Sequence, residues 1–363
     1  MNVYRLLRAV LFLFSAETAH NLGIAALELL GGALSLCRRM RERIAASAGT
    51  SVDLSTSFAG LTFPNCIGLA AGLDKDAEAV HGLYALGFGA VEVGTVTPLP
   101  QPGNQRPRLF RIPEHHALIN RMGFNNKGAA QMASRLRELQ WRPAPLGVNI
   151  GKNKDTPLER ATEDYLACID ELAEYADYVV VNASSPNTPG LRQLQQPEAL
   201  NALLTAVRAR LSKPLFLKIA PDLELEAVDA IVDVALACKV DGLIATNTTV
   251  ARPFPHAFAS EAGGLSGDPV REKSTAVIRR AYQRSGGRLP VIGVGGIRTA
   301  EDAYEKIRAG ASMVQIYTGF IYEGPGMVGA LLQGLTALLE QDGFATVGAA
   351  VGRDARALDL RQT

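Results

Sequence analysis

The chain predicts an α/β fold, a (β/α)8 TIM barrel with an N-terminal amphipathic helical hairpin. Three observations carry that expectation. Eight short apolar, β-branched runs recur after about residue 60, at 66–72, 90–96, 145–150, 178–182, 215–220, 242–246, 290–294 and 313–317. Amphipathic helical patterns lie between most of them, as at 158–173, 198–211, 225–238 and 300–309. Two connections, 97–127 and 249–268, are long enough to be lids or binding elements. Alternation of strand and helix builds a parallel sheet, and eight such units close a barrel. A doubly wound open sheet fits the same alternation; the count of eight and the near-continuous apolarity of the strands favour closure.

The first fifty residues differ in kind. Residues 3–14 and 19–36 read as two helices broken near Ser15-Ala-Glu-Thr18, where Ser15 or Thr18 can cap the second. Leu6, Leu7, Val10, Leu11 and Phe14, then Leu22, Ala26, Leu29 and Leu30, give them wide apolar faces. Arg5, Arg8, Arg38, Arg39, Arg41 and Arg43 supply positive charge. Neither helix offers the roughly 20 apolar residues of a membrane span, and Glu28 interrupts the second. A signal peptide would use Arg5-Leu-Leu-Arg8 and the apolar run, yet no small-residue cleavage site follows it cleanly. The pair is read as an interfacial hairpin, with a helical lid on the barrel as the plainer alternative. Residues 342–363 lose the rhythm and are expected as a surface tail. The division expected is therefore 1–47 helical segment, 48–341 barrel and 342–363 tail.

Composition narrows the partners. A chain of 363 residues can bury a large core, and 35 glycines suggest many tight loops. The formal charge of +1 gives no argument for nucleic acid. Cys37, Cys66, Cys168 and Cys238 lie far apart, with neither metal nor disulfide spacing, which fits a reducing compartment. His115 and His116 are adjacent and the other histidines isolated, so no metal is expected.

The chemistry lies at the strand ends, where active sites of barrels gather. Tyr178-Val-Val-Val-Asn-Ala-Ser-Ser-Pro-Asn-Thr-Pro-Gly190 is a valine-rich strand that ends in a polar, proline-stiffened loop. Ser184 or Ser185 can act on a substrate there, with Asn182 and Asn187 holding it; a solvated turn is the bland alternative. Ala70-Ala-Gly-Leu-Asp-Lys75 follows the first strand, where small residues admit a ring and Lys75 offers a cation. Thr95, Asn149, Asn182 and Thr246-Asn247-Thr248 end the second, third, fourth and sixth strands, and Lys218 sits inside the fifth. Several such groups at one level suggest one site for a flat polar ligand. Lys218 can form a Schiff base, supply charge beside a flavin ring, or pair with a core carboxylate. Gly293-Val-Gly-Gly296 and Tyr317-Thr-Gly319 close the seventh and eighth strands, where barrels often bind phosphate. Gly263-Gly-Leu-Ser-Gly267 can close over the same group. A planar ring and a phosphate together suggest FMN.

These residues resemble the class 2 dihydroorotate dehydrogenases, the membrane-associated, quinone-reducing type, from about residue 3 to about residue 335. The likeness rests on ten ordered motifs. They are Ala-Ala-Gly-Leu-Asp-Lys (70–75), Gly-Thr-Val-Thr-Pro (94–98), Arg-Pro-Arg-Leu-Phe-Arg (106–111), Asn-Arg-Met-Gly-Phe-Asn (120–125) and Asn-Ile-Gly-Lys-Asn-Lys (149–154). Ser-Ser-Pro-Asn-Thr-Pro-Gly (184–190), Ala-Thr-Asn-Thr-Thr (245–249), Gly-Gly-Leu-Ser-Gly (263–267), Gly-Val-Gly-Gly-Ile (293–297) and Gln-Ile-Tyr-Thr-Gly (315–319) complete the set.

The resemblance implies oxidation of (S)-dihydroorotate to orotate in de novo pyrimidine (UMP) biosynthesis, with hydride passed to FMN N5 and electrons then to a membrane quinone. It assigns FMN to Ala71, Gly72, Leu73, Asp74, Lys75, Thr95, Asn149, Asn182, Lys218, Thr246, Gly267, Gly296, Tyr317 and Thr318. Dihydroorotate falls to Lys75, Asn120, Arg121, Met122, Gly123, Phe124, Asn182, Asn187, Asn247 and Thr248. Ser185 is the base that removes the C5 proton; soluble class 1 relatives carry cysteine there, so serine selects class 2. Serine is a weak base and no histidine or aspartate pairs with it in the sequence, so Thr188 and a water under Phe124 are candidates for a relay. His20 and Arg111 are implied to hydrogen-bond the quinone, with the helical hairpin as its greasy entry. The protein is expected as a monomer, peripheral on the cytoplasmic face of a bacterial inner membrane. Competing readings are another FMN barrel, such as a pyrimidine reductase or hydroxy-acid oxidase, and a catalytically dead membrane-attached scaffold.

Overall fold

The computed structural model describes residues 3–35, 52–139 and 141–359. Cys37, Arg38, Arg39, Arg41, Arg43 and the last four residues lie outside them. A short antiparallel hairpin, β1 (Thr56–Phe58) and β2 (Leu61–Phe63), comes first after the helical segment. Phe58 stacks on Phe63 at 4.8 Å and meets the barrel residue Phe216 edge-on.

Eight parallel strands then close the barrel: β3 (Ile67–Leu69), β4 (Ala90–Val96), β7 (Leu146–Ile150), β8 (Tyr178–Asn182), β9 (Leu215–Ile219), β10 (Gly242–Ala245), β12 (Val291–Val294) and β13 (Ala311–Ile316). Seven fall inside the expected runs, the eighth starts two residues ahead of its run at Ala311, all come in the expected order, and β13 pairs with β3 to complete the closure. Val179, Val180 and Val181 are all buried because helices cover the outside while neighbouring strands fill the inside. The helices Ala161–Leu172, Pro197–Arg210, Leu225–Ala237 and Ala300–Ala309 match the sequence patterns to within a few residues. The last is opened by a capping box between Thr299 and Asp302.

The two long connections hold structure that the sequence did not announce. The loop after β4 contains β5 (Leu109–Ile112) and β6 (Ala117–Asn120), and the loop after β10 contains β11 (Gly264–Gly267). These form one antiparallel sheet in the order β11-β6-β5 above the barrel. Phe110, Ile112, Ala117, Ile119 and Leu265 make a small separate core on one face, covered by Phe254 and Phe258. Leu109, Arg111, Leu118, Asn120 and Ser266 belong to the other face, toward the barrel.

The N-terminal pair consists of α1 (Val3–Leu11) and α2 (Ala16–Ser35), joined at the expected break. Ser15 Oγ accepts the Thr18 N–H at 3.1 Å, the cap expected of one of these two residues. Tyr4 donates to Ile321 O and Arg8 to Tyr322 O, which ties α1 to the end of the barrel. Glu17 ties α2 to the β5 approach through Arg108 at 2.7 Å and Arg106 at 3.0 Å. α2 also crosses the helix Val80–Ala85 so closely that a Cβ on Gly82 would overlap Leu27 O. Leu6, Leu7, Val10, Leu13, Phe14, Leu22 and Leu29 stay exposed.

The end of the chain departs from expectation. Residues 342–359 do not trail as a surface tail but fold into helices Val347–Ala350 and Arg353–Asp359. Val347, Ala350 and Ala355 are buried, and Arg308 clasps Asp342 and Asp354 at 2.6 and 2.7 Å. Asp53 bridges to Thr346, closing the segment onto the start of the barrel. Loss of the strand–helix rhythm marked the end of the repeat and not the end of the packing.

Candidate active site

A cavity of about 1120 Å³, its open mouth included, lies between the C-terminal strand ends and the inner face of the β5-β6-β11 sheet. Its floor is polar because amide and hydroxyl side chains from β4, β7 and β8 and from the loop after β10 meet at one level. Asn182 Nδ2 donates to Thr95 Oγ1 at 2.9 Å and to Asn149 Oδ1 at 3.2 Å. Thr95 Oγ1 donates to Asn149 Oδ1, and Asn149 Nδ2 donates to Glu92 Oε1 at 2.8 Å. Asn247 Nδ2 reaches Asn182 Oδ1 and Ser184 Oγ. The amides are thereby locked in orientation, as a buried polar group must be to avoid a large desolvation cost.

Among the described residues, two cations line this cavity. Lys218 is 5% exposed, and its Nζ lies 3.9 Å from Glu92 Oε1. Burial lowers its pKa while Glu92 opposes that shift. The pairing with a core carboxylate weighed for Lys218 is therefore present, and the same ammonium lines the cavity. Lys75 donates to Gly72 O at 2.7 Å, and burial lowers it to about 8.

Ser185 is buried on the wall, its Oγ accepting the Asn187 N–H at 3.2 Å. Ser184 faces away, donating to Asn182 Oδ1 at 3.1 Å and accepting from Asn247. Among the described residues no hydrogen bond joins Thr188 to Ser185. Asn187 Nδ2 donates to Asn120 Oδ1 at 3.0 Å, linking the β8 loop to the end of β6. Arg192, which the sequence reading passed over, holds three groups at once. Its guanidinium donates to Ser184 O at 3.0 Å, to Thr248 O at 3.0 Å and to Asp222 Oδ2 at 3.1 Å. Asp222 in turn accepts the Thr249 hydroxyl and the Val250 N–H. The serine loop and the β10 loop are thus one clamped unit.

The opposite end of the cavity is glycine-rich, lined by Gly267, Gly295, Gly296, Thr318 and Gly319. Gly296 has φ +68°, and a Cβ there would sit 2.6 Å from Arg271 Cα, so only glycine permits this turn. Thr318 Oγ1 donates to Ser266 Oγ across the gap.

Most of the expected residues line this one space: Ala71, Gly72, Lys75, Thr95, Asn182, Lys218, Thr246, Gly267, Gly296, Tyr317 and Thr318 from the cofactor set. From the substrate set Asn120, Met122, Gly123, Phe124, Asn187, Asn247 and Thr248 join them. Four expected residues lie elsewhere. Arg121 points out of the cavity, paired with Glu261 and donating to Pro107 O, because strand alternation sends it opposite to Asn120. Asn149 sits beneath the floor and acts through Thr95 and Asn182. Asp74 accepts the N–H groups of Glu78 and Ala79, each at 2.8 Å, and burial raises it to about 6. Leu73 faces a second space instead.

That second space is an apolar tunnel between α1, α2 and the barrel end. His20 and Arg111 are on its wall, with Leu73, Phe12, Ile24 and Phe320 among the apolar groups. Arg111 is steered by the carbonyls of Leu11 and Phe14 and stacks 4.4 Å from the Phe12 ring. Burial and the Lys75 charge lower His20 to about 3, so its imidazole is neutral. Leu109, Leu118 and Tyr317 line both the tunnel and the main cavity and form the partition between them.

Comparison with known proteins agrees with this geometry. The family description of dihydroorotate dehydrogenase matches residues 53–339. A dihydroorotate dehydrogenase (quinone) of Myxococcus xanthus is 65% identical over 359 residues, spanning 98% of each chain. The protein of the same name from Anaeromyxobacter dehalogenans is 54% identical over 359 residues and 96% of each chain. A crystal structure of DHODH from Eimeria tenella in complex with ferulenol is similar with a TM-score of 0.80 at 40% identity, over 89% of this chain and 95% of that one.

Proposed function

The chain belongs to the dihydroorotate dehydrogenase family, and from that premise we propose how its two cavities divide the work. The enzyme oxidises dihydroorotate to orotate, a step of pyrimidine biosynthesis, with a quinone as electron acceptor. The observation that carries the division is the partition: a polar cavity holding Ser185 and Lys75 shares Leu109, Leu118 and Tyr317 with an apolar tunnel.

The polar cavity fits FMN. A Cβ on Gly72 would meet only the Tyr317 ring, at 3.5 Å, so this wall leaves room for a flat ring. Lys218 faces the cavity with its positive charge, and the Gly295–Gly296 turn with Thr318 suits a phosphate. When bound, FMN supplies a two-electron acceptor that can be reoxidised by a quinone. Thr95, Asn182, Lys218 and Thr246 would hold its ring, and Gly267, Gly296, Tyr317 and Thr318 its phosphate end. Asn149 and Asp74 support this shell from behind.

Dihydroorotate carries a carboxylate and a cyclic urea. Lys75 is the cation for the carboxylate, while Asn120, Asn187, Asn247 and Thr248 orient the ring. Ser185 Oγ takes the C5 proton as its own proton departs to water. The Asn187 N–H already points at this oxygen and stabilises negative charge developing on it. Phe124, with the sheet above, excludes bulk water from the reacting face.

The tunnel receives the quinone, with His20 and Arg111 as its polar contacts. No helix among the described residues is long and apolar enough to cross a membrane. We assign α1 and α2 to peripheral association, their exposed leucines and Phe14 entering the lipid and leaving the tunnel mouth open to it. The cytoplasmic face of a bacterial inner membrane is part of the same proposal. Anaerobic addition of dihydroorotate should bleach the yellow holoenzyme, and a quinone should restore the colour. A flavin that dihydroorotate leaves oxidised would overturn the substrate.

A further inference from the structure

A third space touches both cavities. It is a polar cleft between α2 and the loop after β3, lined by Glu17, His20, Glu28, Lys75, Asp76 and Glu78. Lys75 belongs also to the main cavity, and His20 also to the apolar tunnel. Apart from these two, the shared Met122, Ile24 and Leu73, and Asp74, its lining takes no part in the roles assigned to the other two cavities.

Stoichiometry supplies one. Dihydroorotate loses two electrons and two protons, and the quinone gains two electrons and two protons. The C5 proton leaves by way of Ser185 to water, so a proton must be returned from water to complete the quinol. The tunnel itself is poorly suited to carry it. Arg111 is a guanidinium held by two backbone carbonyls, and Tyr317 is pushed up to about 12. Neither releases or relays a proton near neutral pH.

We propose that the cleft is the proton entry for quinone reduction, with His20 as the group that hands the proton from cleft water to the quinone oxygen. The proposal rests on the quinone-linked reading above. A neutral imidazole carries one donor nitrogen and one acceptor nitrogen, so it can release its N–H into the tunnel while taking a proton from the cleft side. Its surroundings favour that neutral resting state. Burial and then the Lys75 charge lower its pKa, while Glu17, the opposing charge, is already engaged by Arg106 and Arg108. Glu78 is engaged by Lys127 and Arg135, and Asp76 accepts the Lys127 N–H. Asp74 is turned to backbone N–H groups, and Glu28 stands exposed at the mouth.

The test separates proton delivery from electron transfer. Asn21 and Ala25 are exposed on α2 and line the cleft, so Asn21→Leu with Ala25→Leu narrows it without touching the tunnel or the main cavity. Pre-reduced holoenzyme is mixed by stopped flow with a soluble benzoquinone, or with ferricyanide, which accepts electrons and no protons. The plugged variant and His20→Phe should slow reoxidation by the quinone about 10²-fold, the low end for general acid catalysis. A pH indicator in weak buffer should show proton uptake delayed to the same extent. In the plugged variant, reoxidation by ferricyanide and bleaching by dihydroorotate should keep their wild-type rates. Equal slowing with ferricyanide, or wild-type quinone rates in the plugged variant, would overturn the proposal while the assigned reaction stands. Failure of dihydroorotate to bleach the wild-type holoenzyme would instead remove the reading on which it rests.

Discussion

The Lys218 ammonium lies 3.9 Å from the Glu92 carboxylate in the middle of the barrel, with Asn149 and Gln315 donating to the two carboxylate oxygens. Removing one partner of such a buried pair costs more than removing both. Lys218→Met should lower stability by about 3 kcal/mol, and the double change Glu92→Gln with Lys218→Met should regain most of it. Urea denaturation at fixed FMN concentration measures the cycle. An additive double variant would show that the two side chains act independently.

Ser185→Ala should slow bleaching by dihydroorotate by about 10²- to 10⁴-fold, the range for loss of a general base. FMN should remain bound, because Ser185 holds no floor residue. Ser184→Ala should behave oppositely, loosening Asn182 and Asn247 and weakening FMN retention more than it slows the chemistry. Rapid-reaction absorbance and gel-filtration retention of the yellow colour separate the two.

With Lys75 assigned to the substrate carboxylate, the reaction should have an alkaline limit. Burial places its pKa at about 8, below the usual lysine value. The ammonium assigned to the substrate carboxylate is therefore present below that pH and lost as pH rises through it. The kcat/KM profile for dihydroorotate should fall above about 8, reporting the free enzyme. Lys75→Arg should push that limb beyond the accessible range, whatever it does to the plateau. A limb that stays in place would assign it to another group.

Arg192→Ala frees Ser184 O and Thr248 O together. Displacement of the base by an ångström is enough for about a 10²-fold loss, so kcat of the dihydroorotate half-reaction should fall by that order while FMN affinity changes little. Arg192→Lys, a point charge without the planar fork, should recover only part. Full recovery by lysine would mean that charge alone matters at this position.

The barrel was legible because its strands are apolar on both faces, and a run such as 179–181 has no other stable use. The site was legible because amides and lysines at strand ends are poor core filler. What escaped the sequence has physical causes. β5, β6 and β11 are four residues each, too short for a periodicity to stand out, and β11 finds β6 only across a gap of over a hundred residues. Arg121 was grouped with Asn120 because they adjoin in a motif, yet neighbours on a strand face opposite ways. Glu92 sits inside a run that reads as core, and only its amide partners on β7 and β13 explain it. Arg192 acts on main-chain oxygens, which leave no trace in side-chain patterns.

The β5–β6 ribbon imposes an arithmetic on change. Leu109 and Arg111 on one strand and Leu118 and Asn120 on the other share a face, opposite each other in pairs, while Phe110, Ile112 and Ile119 share the reverse. A single inserted or deleted residue in β5 would exchange those faces. Arg111 would leave the tunnel as an isoleucine or phenylalanine entered it, and the partition would change on both sides at once. Length changes in this segment should therefore survive selection only as even steps or outside the paired residues, however freely individual side chains vary.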